Sequence, residues 1–143
     1  MKQDLTVSKT ILVNASPSKV WLAVTTPEII KEYLYGTETI TDWKTGSTIV
    51  FQGEYEGHKY RDHGVILKND LHECLSYSYW SGFSGLEDKP ENYSSVTYLL
   101  ENKEDKATEF TWIQKGFASE ENQKHSENGM MDFLAKFKEV AEK

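Results

Sequence analysis

ATEFTWIQKGFASEENQKHSENGMMDFLAKFKEVAE, residues 107–142, changes its hydrophobic period in mid-course. Its first ten residues alternate. Phe110, Trp112 and Gln114 fall on one side of an extended strand and Thr111, Ile113 and Lys115 on the other. From residue 120 the apolar positions are Met130, Phe133, Leu134, Phe137, Val140 and Ala141, which form one stripe at 3.6 residues per turn. Ser119 stands where an N-cap belongs, with Glu120 and Glu121 well placed against the helix dipole. A strand with an aromatic face therefore runs straight into a long amphipathic helix with an aromatic stripe.

Working back towards the start, short alternating runs recur between turn residues. Strands are expected at 38–41, 47–55, 58–68, 73–80, 93–102 and 107–116, with turns at 44–46, 56–57, 69–70 and 103–105. Links this short join antiparallel neighbours. The stretch 81–92, with Gly82, Gly85 and Pro90, is expected as a loop carrying Phe83 and Leu86. Ahead of the strands, Ser16-Pro17 and Thr26-Pro27 each pair a cap with a proline at the first helical position. Two short helices follow, the second stopped by Gly36. A first strand precedes them over 4–13. The order β-αα-β(six strands)-α is met most economically by a curved antiparallel sheet with the last helix across its concave face, an α+β architecture.

The 143 residues suit one domain, and 13% aromatic content gives it material for a core. A net charge of -7 lacks the basic footprint of a nucleic-acid binder. No apolar run approaches the roughly 20 residues of a membrane helix, so membrane insertion is not expected. Met1–Leu5 does not read as a secretion signal, and the lone Cys74 fits a reducing, cytoplasmic setting.

Several segments together resemble the START-like (SRPBCC) superfamily, and within it the family of activator of heat-shock-protein-90 ATPase homologues. They are ASPSKVWLAVTTPE at 15–28 with Tyr33-Leu34, DWKTGS at 42–47, a strand ending at Gly53, GVIL at 64–67, LSYSYW at 75–80, and TEFTWIQ at 108–114 with Gly116-Phe117. They keep the family order and span nearly the whole chain. Many relatives carry Gly-Trp early in the last helix, where this chain has Gly129-Met130. The resemblance implies the helix-grip fold over 1–143 and a cavity between sheet and last helix. It implies a small apolar or amphipathic ligand, or a protein partner in a stress-response, co-chaperone-like role. The further domain of the eukaryotic co-chaperone is not expected in a chain of this length. Some relatives act as cyclases or hydrolases on aromatic compounds, so an enzyme using the same cavity is a third reading.

Strand parity groups Leu75, Tyr77 and Tyr79, and likewise Val96, Tyr98 and Leu100. If these sets point inward with Phe110, Trp112 and Gln114, they wall a cavity beneath Phe133 and Phe137; otherwise the rings simply fill the core. The candidate ligand-binding residues are Trp43, Phe51, His63, Tyr77, Tyr79, Tyr98, Trp112, Gln114, Phe133 and Phe137. No catalytic residue, metal or cofactor is assigned. The histidines lack zinc-ligand spacing, Glu54 and Glu56 are expected in solvent at a hairpin end, and Cys74 is expected as a buried structural thiol. Oligomeric state is left open.

Overall fold

The computed structural model describes residues 1–104 and 106–143; the expected turn at 103–105 lies partly outside the described residues. The strands are β1 (Lys2–Val13), β2 (Glu38–Ile40), β3 (Thr48–Tyr55), β4 (His58–Asp70), β5 (Cys74–Tyr79), β6 (Ser94–Lys103) and β7 (Ala107–Phe117). The helices are α1 (Pro17–Thr25), α2 (Pro27–Tyr33) and α3 (Glu120–Ala141). The strands form one antiparallel sheet in the order β1-β7-β6-β5-β4-β3-β2. It is the expected α+β helix-grip fold. Strand ends differ from the sequence reading by one or two residues, and 81–92 is not featureless: it holds single 3-10 turns at Gly82–Ser84 and Pro90–Asn92.

The capping signals work as read. Ser16 Oγ accepts from the Lys19 amide at 3.3 Å and Ser119 Oγ from the Asn122 amide at 3.1 Å, each satisfying a donor of a first helical turn. The α1–α2 pair turns Trp21, Val24, Ile30 and Tyr33 into the core.

Helix α3 runs alongside β1, the strand at one edge of the sheet. Its side chains satisfy backbone groups that β1 would otherwise present to solvent. Gln123 donates to the Thr6 carbonyl at 3.0 Å, Lys138 to the Leu12 carbonyl at 2.8 Å, and Glu142 accepts from the Asn14 amide at 2.8 Å. Thr6, Leu12 and Asn14 share the parity that faces away from β7. The lengths match: nineteen helical residues rise about 28 Å and eight strand residues about 26 Å. The helix thus covers an exposed edge, which otherwise invites pairing with another chain.

The sheet turns at β4. Its first half pairs with β3 and its second with β5, with a register shift between Ile66 and Lys68. Gly64 sits at the bend, and a Cβ there would stand 1.6 Å from the Ser78 carbonyl oxygen. That contact is with backbone, so no side-chain adjustment relieves it. By contrast, Gly129 in the middle of α3 has no atom within 4 Å of where its Cβ would be.

These two glycines give opposite predictions. Gly64→Ala is expected to cost at least about 3 kcal/mol, because strands must separate to admit the methyl group. Gly129→Ala is expected to stabilise by about 0.5–1 kcal/mol, through backbone entropy alone. Urea denaturation of both variants checks the pair.

Candidate functional site

The sheet register brings the parity sets together. Ile66 pairs with Tyr77, Tyr77 with Val96, Val96 with Gln114, and Gln114 with Val7, making one row across the sheet. A second row runs Leu75, Tyr98, Trp112, and a third joins Leu100 to Phe110. All three rows lie on the face that α3 covers.

The helix meets this face unevenly. Towards its C-terminal end Phe137 stacks on Phe110 with ring centroids 4.4 Å apart and meets Tyr33 edge-on at 5.0 Å. Phe137 and Leu134 are wholly excluded from solvent. One turn back, Phe133 sits against Trp112 at 4.4 Å, and both rings are only half-buried. Between that end of the helix and the sheet is a cavity of about 260 Å3. It is lined by Phe51 of β3, Tyr60 and Asp62 of β4, Tyr77 and Tyr79 of β5, Val96 and Tyr98 of β6, Trp112 and Gln114 of β7, Phe133 of α3, and Leu34 and Thr37 beside α2.

Seven of the ten sequence candidates therefore line one cavity: Phe51, Tyr77, Tyr79, Tyr98, Trp112, Gln114 and Phe133. Three are elsewhere. Phe137 is packed solid against Phe110. Trp43, at φ 67, rests on the core with Ile49 and Leu75 beside a void of only about 10 Å3. His63 lies on the outer face of the sheet, the face opposite Asp62. There it meets the Trp80 ring at a tilt, centroids 5.4 Å apart, and contacts Asp88 at 3.0 Å, and Tyr93 donates to the other Asp88 oxygen at 2.5 Å. This cluster fastens the 81–92 segment, helped by Trp80 and Asn92, which both donate to the Glu87 carbonyl. From that segment Phe83, largely exposed, reaches the ring of Tyr60 at 6.1 Å.

Tyr60 and Asp62 escaped the sequence reading for a physical reason. In β4 the run Val65-Ile66-Leu67 is apolar at both parities, so it does not tell which side of the strand faces inward. Only burial of Ile66, with Val65 and Leu67 exposed, identifies 60, 62, 64 and 66 as the inner set.

The cavity's polar groups are few. Tyr77 and Tyr98 share a hydrogen bond at 2.9 Å, which uses one of their two hydroxyl protons. Tyr79 donates to Asp62 Oδ2 at 2.5 Å. Asp62 Oδ1 and Trp112 Nε1 are buried without a hydrogen-bond partner. Burial pushes the hydroxyls of Tyr77 and Tyr79 well up, with Tyr98 and Asp62 respectively adding to it, and pushes Tyr98 up to about 12. Tyr33, whose hydroxyl donates to the Ala23 carbonyl at 2.7 Å, is likewise raised by burial. The wall is thus a set of neutral rings and apolar side chains with one carboxylate, the Gln114 amide and the Thr37 hydroxyl. Cys74 is buried, and burial raises its thiol, away from the thiolate needed for nucleophilic chemistry. Glu54 and Glu56 are exposed, and among the described residues no three His, Cys, Asp or Glu side chains converge as a metal site. No helix among the described residues is long and apolar enough to cross a membrane.

The raised hydroxyls set an alkaline limit. The folded chain holds these protons above the ordinary tyrosine value of about 10 and the unfolded chain releases them, so their contribution to stability is whole below about pH 10 and lost above it. Thermal melts should fall steeply beyond about pH 10, with the late tyrosinate absorbance step coinciding with loss of circular dichroism.

Comparison with known proteins places this geometry. A family model described as Activator of Hsp90 ATPase homolog 1-like protein matches residues 14–142. The solution structure of ChR145 from Cytophaga hutchinsonii is similar at 40% identity and TM-score 0.82, over 96% of this chain and 94% of that one. The Aha1 dimer from Colwellia psychrerythraea (18% identity, TM-score 0.74) is covered over 96% of each chain. CalU16 from Micromonospora echinospora (22% identity, TM-score 0.70) is matched over 95% of this chain and 80% of that one. The last two show the shared fold. Comparison with curated proteins finds no match.

Proposed function

The chain belongs to the family of Activator of Hsp90 ATPase homolog 1-like proteins, and from that premise we propose that it binds a small, largely apolar molecule in the cavity between the sheet and α3. The observation that carries this reading is the combination of about 260 Å3 of space with walls of aromatic rings. A void of about 150 Å3 lined by apolar side chains takes up benzene. This one has room for a ring with a short chain, or for two fused rings. Apolar pockets with a few placed polar groups are the usual form of small-molecule sites. The tyrosine and tryptophan tips supply those groups here.

The grip supports this use. Phe110 and Phe137 close one end of the helix on the sheet, so a ligand enters from the other end, past Phe133, Leu34 and Tyr60. Catalysis is not part of the reading, which rests on space and apolar walls. We place the protein in the cytoplasm, since its single cysteine is buried and reduced there.

A second reading, a protein partner related to the heat-shock ATPase, has support in the family's description and in Val65, Leu67 and Leu99, which are exposed on the outer face. Stimulation of such an ATPase that is lost on Val65→Asp and Leu99→Asp would support it, and unchanged turnover would remove it.

The cavity reading is tested with 2-naphthol as a neutral two-ring probe. Saturable binding by calorimetry is expected, weakened at least tenfold by Val96→Phe, which fills the cavity from the sheet side. Leu34→Trp, at the mouth, tests the same space if the first variant unfolds. Absence of saturable binding, or binding indifferent to both substitutions in folded protein, would end the proposal.

A further inference from the structure

Asp62 is out of place in an apolar pocket. It is 7% exposed and lies among aromatic rings. One oxygen, Oδ2, accepts from the Tyr79 hydroxyl at 2.5 Å; the other, Oδ1, is buried and has no partner. No lysine, arginine or histidine lines the cavity, and Asp62 is in none of the ion pairs formed among the described residues. A buried acceptor without a donor is costly, and more so when it carries charge. Nothing in the fold requires a carboxylate here: its strand partner is Phe51, and its outward-facing neighbours are Arg61 and His63.

The rings nearby define what would complement it. Tyr79, held to Asp62, is 6.0 Å from Phe51, and Phe51 is 5.5 Å from Tyr77. Aromatic faces around one carboxylate favour a cation, which gains from ring quadrupoles and from the opposite charge together. Trp112, another lining residue, also has a buried polar atom without a partner, its Nε1.

Resting on the binding reading above, we infer that the ligand is a ring-bearing amine, its protonated amino group on Asp62 Oδ1 and its ring between Phe51, Tyr77 and Phe133. No covalent step is involved. An anionic ligand is disfavoured, because its charge would meet Asp62 with no base in the lining to offset it.

The test is a matched series on the full chain: 2-phenylethylamine, 2-phenylethanol and 3-phenylpropanoate, titrated by calorimetry at neutral pH, with the indole N–H resonance of Trp112 followed by NMR. The amine should bind at least tenfold more tightly than the alcohol, and the acid more weakly than either. Asp62→Asn should bring amine and alcohol within about threefold of each other, with its fold checked by circular dichroism. An acid that binds as well as the amine, or an amine preference that survives Asp62→Asn, overturns the inference. If 2-naphthol binds and the amine has no advantage in the unaltered protein, the inference fails and the binding reading stands. If neither binds, both fail. The wild-type series decides the matter even should Asp62→Asn not fold.

Discussion

Phe137 lying on Phe110 is the contact around which the rest is arranged. It presses the C-terminal part of α3 flush against the sheet at a point where both rings are lost to solvent. Stacked rings of this size contribute both buried area and a preferred geometry. Polar stitches from Gln123, Lys138 and Glu142 hold the helix along the edge of β1. A rigid helix held along an edge strand cannot follow a curved sheet over its whole length. Space remains at the end where Phe133 leans on Trp112.

That space is a consequence of packing as well as a site. Interiors usually close to crystal-like density, and a gap lined by apolar atoms forgoes dispersion contacts. Here the gap is bordered by tyrosines whose hydroxyls pair with each other or with Asp62 instead of collapsing inward. At the Gly64 bend the strands β4 and β5 approach so closely that no other residue fits against the Ser78 carbonyl. The outer His63–Asp88–Tyr93 cluster holds the 81–92 segment against the back of the same bend, so that Phe83 reaches Tyr60 at the cavity wall.

Much of this was legible beforehand. The capping pairs at Ser16-Pro17 and Ser119, the change of period after residue 116, and the short links between strands led to the order of elements and to a curved sheet beneath the last helix; the helix grip was what the family resemblance implied. Parity alone grouped Tyr77 with Tyr79, Val96 with Tyr98, and Trp112 with Gln114, and these line the cavity together. Phe137 shares the helical stripe of Phe133 but lies at the closed end of the grip, while Trp43 sits in a left-handed turn on the core and His63 on the outer face. Asp62 and Tyr60 were hidden by the evenly apolar run at 65–67.

The chain by itself determined what is local: which residues cap a helix, which side of a strand or helix they share, and in what order the elements follow. Those properties depend on a few neighbouring residues and on the fixed repeats of the backbone. Only the tertiary structure decided which parity of β4 faces inward, where space remains between α3 and the sheet, and that a carboxylate lies among the rings. Each of these depends on the summed volumes of side chains from distant segments, and no short stretch of sequence carries that sum.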